Sequence, residues 1–141
     1  MTGIAGIRTE RVVPIPVATL YEAWTARFDD WFAESDSIVM AAEINVPFFF
    51  ETEFENRRHP HYGRFLELRP NEYLRMTWVT GDPGTKGAET VVSVTFSEQA
   101  DSTLVTLTHD GFADEETRDG HADAWPMVLE HMENQLLARD A

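Results

Sequence analysis

Two histidines follow the last apolar run of the chain and could supply acid–base chemistry. His109 ends the run on the same face as Val105 and Leu107, and His121 comes one helical turn before Trp125. Because imidazole titrates near neutral pH, either ring could act as a general base or as a polar anchor for a ligand. The alternative is a structural role, in which His109 bonds nearby backbone and His121 packs on aromatic rings. We favour the structural role for both, since buried polar groups are often structural.

A second histidine pair, in His59-Pro60-His61, offers two imidazoles to a metal ion. The intervening proline, the neighbouring Arg57 and Arg58, and the lack of a carboxylate at helical spacing argue against a metal site. The stretch instead predicts a solvated hairpin tip. The chain has no cysteine, which removes thiolate catalysis, disulfides and cysteine-based metal sites. It also lacks a Gly-x-Ser-x-Gly elbow and a phosphate-binding glycine loop, so we predict no cofactor and no metal.

Composition and charge restrict the class of partner. The chain has 141 residues, with 25 acidic and 11 basic side chains and a formal net charge of −14. Such a surface repels nucleic acid and anionic lipid, so we predict neither as a partner. No apolar run approaches the roughly 18 residues that a membrane span needs, and the first residues lack the apolar region of a signal peptide. We therefore predict a cytoplasmic protein with one domain over residues 1–141.

The spacing of apolar residues predicts the elements that must hold these side chains. A first strand is predicted over 6–13, and Pro14 and Pro16 end it because proline lacks the N–H that a ladder needs. Apolar residues three and four apart predict one helix or two short ones over 17–35. Period-two alternation with turn residues between runs then predicts antiparallel strands, which are 36–44, 47–56, 61–70, 72–80, 89–98 and 103–111.

The C-terminal segment predicts a helix that covers the apolar face of this sheet. Its apolar stripe contains His121, Trp125, Val128, Leu129, Met132 and Leu136. Gly120 predicts a break between a short acidic turn over 114–119 and the long helix. Pro126 is compatible with a helix only near its start or at a kink. The order of elements therefore predicts an α+β fold in which a helix lies across a curved antiparallel sheet.

Several sequence segments resemble those of a known family. They are the segment from Trp24 to Trp31 after Pro-x-x-x-Leu-Tyr-Glu-Ala-Trp, GRFLELRPNEYLRMTW, ETVVSVTFSE and TLVTLTHDGFADEETRDGHADAWPMVLEHME. With them the chain resembles the SRPBCC (START-like, helix-grip) superfamily, and within it the group similar to the C-terminal domain of the activator of heat-shock protein 90 ATPase. The stretch PFFFETEFENRRHPHYG departs from this group, which often has a glycine-rich hairpin there. This difference in sequence affects the shape expected for the mouth of the implied pocket.

The resemblance implies a helix-grip fold, with a curved antiparallel sheet of about six to seven strands on a long C-terminal helix and two short helices after the first strand. It also implies a cavity between helix and sheet that holds an apolar molecule. We expect the cavity to be lined by apolar residues, with the two histidines as polar groups; these are Phe50, Phe54, Met76, Trp78, Val94, Phe96, Trp125 and Met132, with His109 and His121. The alternative is that these side chains fill the core completely, as protein interiors usually do.

Three functions follow from these expectations. The first is a module that binds a small apolar ligand. The second is an enzyme of the cyclase, aromatase or hydrolase kind that uses His109, His121 or Tyr73 in the cavity. The third is an interaction protein of the chaperone machinery, which we place last because the chain lacks the second, larger domain of the eukaryotic activators. A homodimer is compatible with the predicted edge strands.

Overall fold

The computed structural model describes residues 4–81 and 84–140, apart from the side chains of Phe54 and Asp140. Six strands form one antiparallel sheet in the order β1-β6-β5-β4-β3-β2. The elements in chain order are β1 Ile7–Val13, α1 Val17–Thr25, a 3-10 turn Phe28–Asp30, β2 Pro47–Phe54, β3 Arg57–Arg69, β4 Tyr73–Thr80, β5 Thr90–Glu98, β6 Thr103–Asp110 and α2 Glu115–Asp140. This arrangement confirms the predicted α+β helix-grip fold. Within the described part of the chain, none of the helices combines the length and apolar character needed to cross a membrane.

The predicted alternation places one face of the sheet in the core. On β4 the side chains of Leu74, Met76 and Trp78 are buried, and on β6 those of Val105 and Leu107 are fully buried. α2 covers this face with its own buried stripe, which consists of Trp125, Leu129, Met132 and Leu136. The spacing of four, three and four residues keeps the stripe on one side of the helix. β4, β6 and α2 therefore follow from the periodicity of their apolar residues.

Aromatic rings fill the space between α1, the 3-10 turn and the sheet. The ring of Phe28 lies 4.9 Å from that of Phe50, and Trp24 lies 5.8 Å from Phe28, centroid to centroid. The indole N–H of Trp24 donates to the sulfur of Met132 on α2 at 3.2 Å. These contacts join the helical segment after β1 to the sheet and to α2, so aromatic packing holds the three layers together.

The prediction of a strand over 36–44 is wrong. The segment contacts the sheet through two isolated bridges, Val39 with Phe49 and Ile44 with Phe65. Val39 is 66% exposed and Ile44 is 50% exposed, so the apolar side chains do not form a buried face that would hold a regular strand. The hydroxyl of Ser37 instead accepts a hydrogen bond from the backbone N–H of Glu51 at 2.9 Å. The segment thus runs along the β2 edge as irregular backbone.

The predicted break at Gly120 is also wrong, because α2 runs without interruption from Glu115 and contains Gly120. Asp114 caps the helix, since its carboxylate accepts the backbone N–H of Thr117 at 2.8 Å. Pro126 lies in the helix interior rather than at its start. The glycine costs a helix about 1 kcal/mol relative to alanine, and the proline costs about 3 kcal/mol. The buried stripe on α2 offsets both costs.

The hairpin between β2 and β3 turns earlier than the sequence predicted. Glu55 and Asn56 occupy its tip with φ values of 53° and 63°, the left-handed region that two-residue hairpin turns need. The stretch His59-Pro60-His61 is therefore part of β3, and His61 is only 9% exposed. The solvated tip predicted there is wrong. Proline is tolerated because β3 pairs with β4 only from His61 onward, so Pro60 stands beyond that ladder.

Candidate functional site

A cavity of about 520 Å³ lies between α2 and the end of the sheet where the β2–β3 hairpin projects past β4. The hairpin contributes Thr52, Arg57, His59 and His61 to its wall. The end of β4 and the following turn contribute Thr80, Gly81 and Gly84, and Phe32 closes the side next to the 3-10 turn. This volume is within the range of roughly 300–1,000 Å³ that small-molecule sites occupy.

The helix wall of the cavity is a second stripe on α2, next to the one that faces the core. Its members are spaced by three, four and three residues, so they share one side of the helix; they are His121, Ala124, Val128 and His131. Met127 also lines the cavity and is 66% exposed, which puts it at the rim. α2 therefore serves the core with one stripe and the cavity with the other.

His61 is the polar group most enclosed by aromatic rings at this site. Its ring stacks on Phe50 with centroids 4.8 Å apart and planes 12° apart, and it meets the edge of Trp78 at 5.1 Å. Its Nδ1 lies 2.9 Å from the carbonyl oxygen of His59. Since a carbonyl only accepts, Nδ1 carries the proton and Nε2 presents a lone pair. Burial lowers the pKa of His61 to about 4, which keeps the ring neutral.

His121 faces the cavity from α2 in the same protonation state. Its Nδ1 donates to the carbonyl oxygen of Thr117, one turn earlier, at 2.8 Å. Its ring packs against His109 at 4.8 Å and Phe112 at 5.2 Å. Burial lowers the pKa of His121, although the bond to Thr117 opposes that change. The cavity is thus lined by two neutral imidazoles whose Nε2 atoms are acceptors.

His109 is fully buried behind His121 and both of its ring nitrogens are occupied. Trp125 donates its indole N–H to Nδ1 at 2.9 Å, so the ring proton must lie on Nε2. Nε2 donates to the hydroxyl of Thr90 at 2.7 Å, and that hydroxyl donates to the carbonyl of Trp78 at 2.6 Å. Burial lowers the pKa of His109 to about 3, with a smaller contribution from His121. These hydrogen bonds join β4, β5, β6 and α2 and occupy both ring nitrogens of His109.

The structure separates the ten predicted site residues. Of the nine whose side chains the structure describes, only His121 lines the cavity. The side chain of Phe54 lies outside the described part. The others are in the core, each no more than 5% exposed; they are Phe50, Met76, Trp78, Val94, Phe96, His109, Trp125 and Met132. Direct contact between these residues and a ligand stays a prediction. Tyr73, the other group proposed for catalysis, lies on β4 under the guanidinium of Arg69 and does not line the cavity.

Sequence reasoning missed His61, and the hairpin register was the signal that could have found it. A two-residue turn at Glu55-Asn56 pairs Phe50 with His61 and Thr52 with His59, which places both histidines on the inner face. In the described ranges, 4–81 and 84–140, no group of three or more histidine or carboxylate side chains could hold a metal ion. The polar groups of the cavity are suited to hydrogen bonding with an organic ligand.

Comparison with known proteins agrees with this fold. The family model described as Activator of Hsp90 ATPase homolog 1-like protein matches residues 14–136. A crystal structure from Mesorhizobium loti is similar with a TM-score of 0.77 and 21% identity, covering 97% of this chain and all of that one. DynU16, a protein in the dynemicin biosynthetic locus, is similar with a TM-score of 0.74 and 19% identity over 93% of this chain and 46% of its own.

A third similar structure is the Aha1 dimer from Colwellia psychrerythraea, with a TM-score of 0.68 and 16% identity. The match covers 93% of this chain and 95% of that one. At these identities the likeness shows the fold alone. Among proteins of curated function, none matches this sequence significantly.

Proposed function

This chain belongs to the activator of Hsp90 ATPase homolog 1-like family, and from that premise we propose that it binds a small, largely apolar molecule between α2 and the β2–β3 hairpin. The observation that carries the proposal is the cavity of about 520 Å³, whose wall surface is mainly apolar and carries histidine, arginine and threonine side chains. Such a combination is typical of small-molecule sites. The fold is shared with a protein of the dynemicin biosynthetic locus, which also supports a role with small organic molecules.

The two neutral histidines indicate how such a ligand is oriented. The Nε2 atoms of His61 and His121 accept hydrogen bonds, because in each ring Nδ1 donates to a backbone carbonyl. A ligand hydroxyl or N–H group is the matching donor. The rings also offer flat apolar surfaces, so the same side chains contact both the polar group and the body of the ligand.

The test uses N-phenylnaphthylamine, a neutral dye whose fluorescence rises in apolar sites, with native mass spectrometry of the freshly purified protein as a second readout. We expect saturable binding of one dye per chain. Ala124→Trp places an indole inside the cavity and should abolish it, whereas Ala138→Trp, on the exposed side of α2, should leave it unchanged. A dye that fails to bind, or that binds equally to both variants, would contradict the proposal.

An enzyme of the cyclase, aromatase or hydrolase kind is the second candidate. Its support is that two unprotonated imidazole nitrogens, on His61 and His121, line one apolar cavity. His109, by contrast, has no ring nitrogen left to serve as a base. Turnover of aryl ester or polyketone substrates, lost in His61→Gln and His121→Gln but retained in His131→Gln, would support catalysis. Equal rates in all four proteins would leave binding as the function.

Two associations are proposed on weaker support. The Colwellia psychrerythraea relative forms a dimer, and β1 offers a free sheet edge on which Val12 is 54% exposed, so a homodimer is a candidate assembly. Sedimentation at increasing concentration tests it. The family name supports a chaperone role, and stimulation of a chaperone ATPase by the purified chain is the corresponding test.

A further inference from the structure

We propose that the ligand is an amphipathic acid, an apolar molecule with one anionic group that meets Arg57 at the mouth of the cavity. This inference rests on the proposed function and adds the chemical class of the ligand to it. The anionic group would be a carboxylate or a group of similar geometry. The apolar body would lie against His61, His121 and Val128 inside the cavity.

The first observation is the charge of the side chains that line the cavity in the described part of the chain. The chain carries 25 acidic and 11 basic side chains, yet among the described residues that line the cavity there is no aspartate and no glutamate. Two arginines, Arg57 and Arg58, do line it. In a protein with a net charge of −14, the charged side chains among these described lining residues are thus both basic.

The second observation is that the hairpin register separates the two arginines. Phe54 pairs with Arg57, and Thr52 pairs with His59, so the side chain of Arg57 belongs to the inner row that continues to His61. Arg58 belongs to the opposite row. There its guanidinium bonds Asp36 at 3.0 Å and contacts carboxylates of neighbouring β2 residues at 3.4 and 3.6 Å. The charge of Arg58 is therefore compensated on the outer face of the hairpin.

In the described part of the chain, Arg57 has no such compensation. Among the described residues no carboxylate lies within 4.0 Å of its guanidinium. Its planar fork can bind a carboxylate through two parallel hydrogen bonds, which gives orientation as well as affinity. An arginine at the open end of this cavity, with no carboxylate of the described residues beside it, is suited to the head group of an amphipathic acid.

A second recess, lined by acidic side chains, lies next to the cavity on the side of Phe32 and His131. It has a volume of about 270 Å³, shares Phe32 and His131 with the cavity, and is lined by Asp29, Asp30, Glu34 and Glu53. Carboxylates there repel an anion. The two recesses together favour one orientation of an acid, with its charge toward the hairpin tip.

The experiment compares two dyes with the same ring skeleton. Anilinonaphthalene sulfonate carries one negative charge, and N-phenylnaphthylamine carries none. We expect Arg57→Gln to raise the Kd of the anionic dye about tenfold and to change the Kd of the neutral dye less than about twofold. Arg57→Lys should retain most of the affinity. Arg75→Gln is the matched control, because it removes the same charge from an exposed position on β4, away from the cavity.

Added salt should lower the affinity of the wild type for the anionic dye and should have less effect on that of Arg57→Gln, since salt screens the ion pair. If Arg57→Gln and Arg75→Gln weaken the anionic dye equally, the effect is one of net charge and the inference is overturned. If Arg57→Gln lowers the affinity of both dyes equally, the arginine contributes only packing, which also overturns it. In both cases the proposed function stands. Failure of the neutral dye to bind the wild type would instead contradict the proposed function itself.

Discussion

Lowering the pH should destabilise this protein through its buried histidines. Burial lowers the pKa of His61 to about 4 and that of His109 to about 3, from a usual value of 6.5. In the unfolded chain both rings regain the usual value. Between pH 6.5 and these native values the unfolded state binds protons that the native state does not, so the free energy of unfolding falls as the pH falls. This contribution is fully present above pH 6.5 and is lost as the pH drops toward 4 and 3.

The size of the effect follows from the proton linkage of each ring. One pKa unit corresponds to about 1.4 kcal/mol, so going from about pH 7.5 to about pH 5 each buried histidine lowers the free energy of unfolding by about 2 kcal/mol. The two rings together account for about 4 kcal/mol, and the lowered pKa of His121 acts in the same direction. Acidification also reduces the net charge from −14, which relieves repulsion and opposes the loss. Variants are therefore needed to isolate the histidine contribution.

Urea unfolding followed by tryptophan emission at the two pH values measures this difference. His61→Phe removes one titrating ring and keeps an aromatic group against Phe50 and Trp78, so we expect its stability difference between the two pH values to be about 2 kcal/mol smaller than that of the wild type. Leu129→Ala is the control, because it destabilises the core without removing a histidine.

Two outcomes would refute the reasoning. One is a His61→Phe variant that keeps the whole wild-type difference, since His61 would then titrate alike in both states. The other is a Leu129→Ala variant that loses as much of the difference as His61→Phe. In that case the smaller pH effect in His61→Phe would follow from its lower stability and not from the loss of a titrating ring. Either result would also weaken the assignment of His61 as a neutral acceptor in the cavity.

Three further substitutions test the packing that supports the site. Thr90→Val leaves the buried Nε2–H of His109 without an acceptor and should cost about 2 kcal/mol in chemical unfolding, whereas Thr108→Val, in the half-exposed row of β6, should change stability by less than about 0.5 kcal/mol. Leu129→Ala empties a fully buried position under α2 and should cost about 2–5 kcal/mol at pH 7 by the same measurement. Gly120→Ala should raise stability by about 0.5–1 kcal/mol, since an added Cβ meets nothing within 4 Å.

The fold could be predicted from the sequence because its main signals are periodic. Alternation along β4 and β6 and the four-three-four spacing on α2 each require one buried face, and the structure buries those faces. The strand predicted over 36–44 is wrong because its local pattern does not show whether its apolar residues are buried. It has apolar residues and flanking turn signals, but whether they are buried depends on what lies beside the β2 edge. That information is tertiary, and a local pattern does not contain it.

The site was harder to predict, because the position of each histidine in the fold decides whether it faces the cavity, and residue type alone does not show that position. His109 and His121 were singled out together, yet His109 is closed off by Trp125 and Thr90 while His121 faces the cavity. His61 was assigned to a solvated tip because Pro60 is usually a sign of a turn or an edge. A hairpin turn shifted toward Glu55-Asn56 reverses that assignment, since moving the turn changes which residues pair and which face inward.

The position of the cavity follows from the length of the β2–β3 hairpin. β4 ends at Thr80, opposite His61, whereas the hairpin continues to its tip at Glu55-Asn56. The inner face of this overhang extends past the last β3–β4 pair, and α2 lies across from it, with Phe32 and the turn after β4 at its sides. A gap between hairpin and helix remains there. This hairpin supplies Arg57 and His61 to the wall. The length of the hairpin thus sets the position of the cavity, and the inner row of β3 together with α2 supplies its walls.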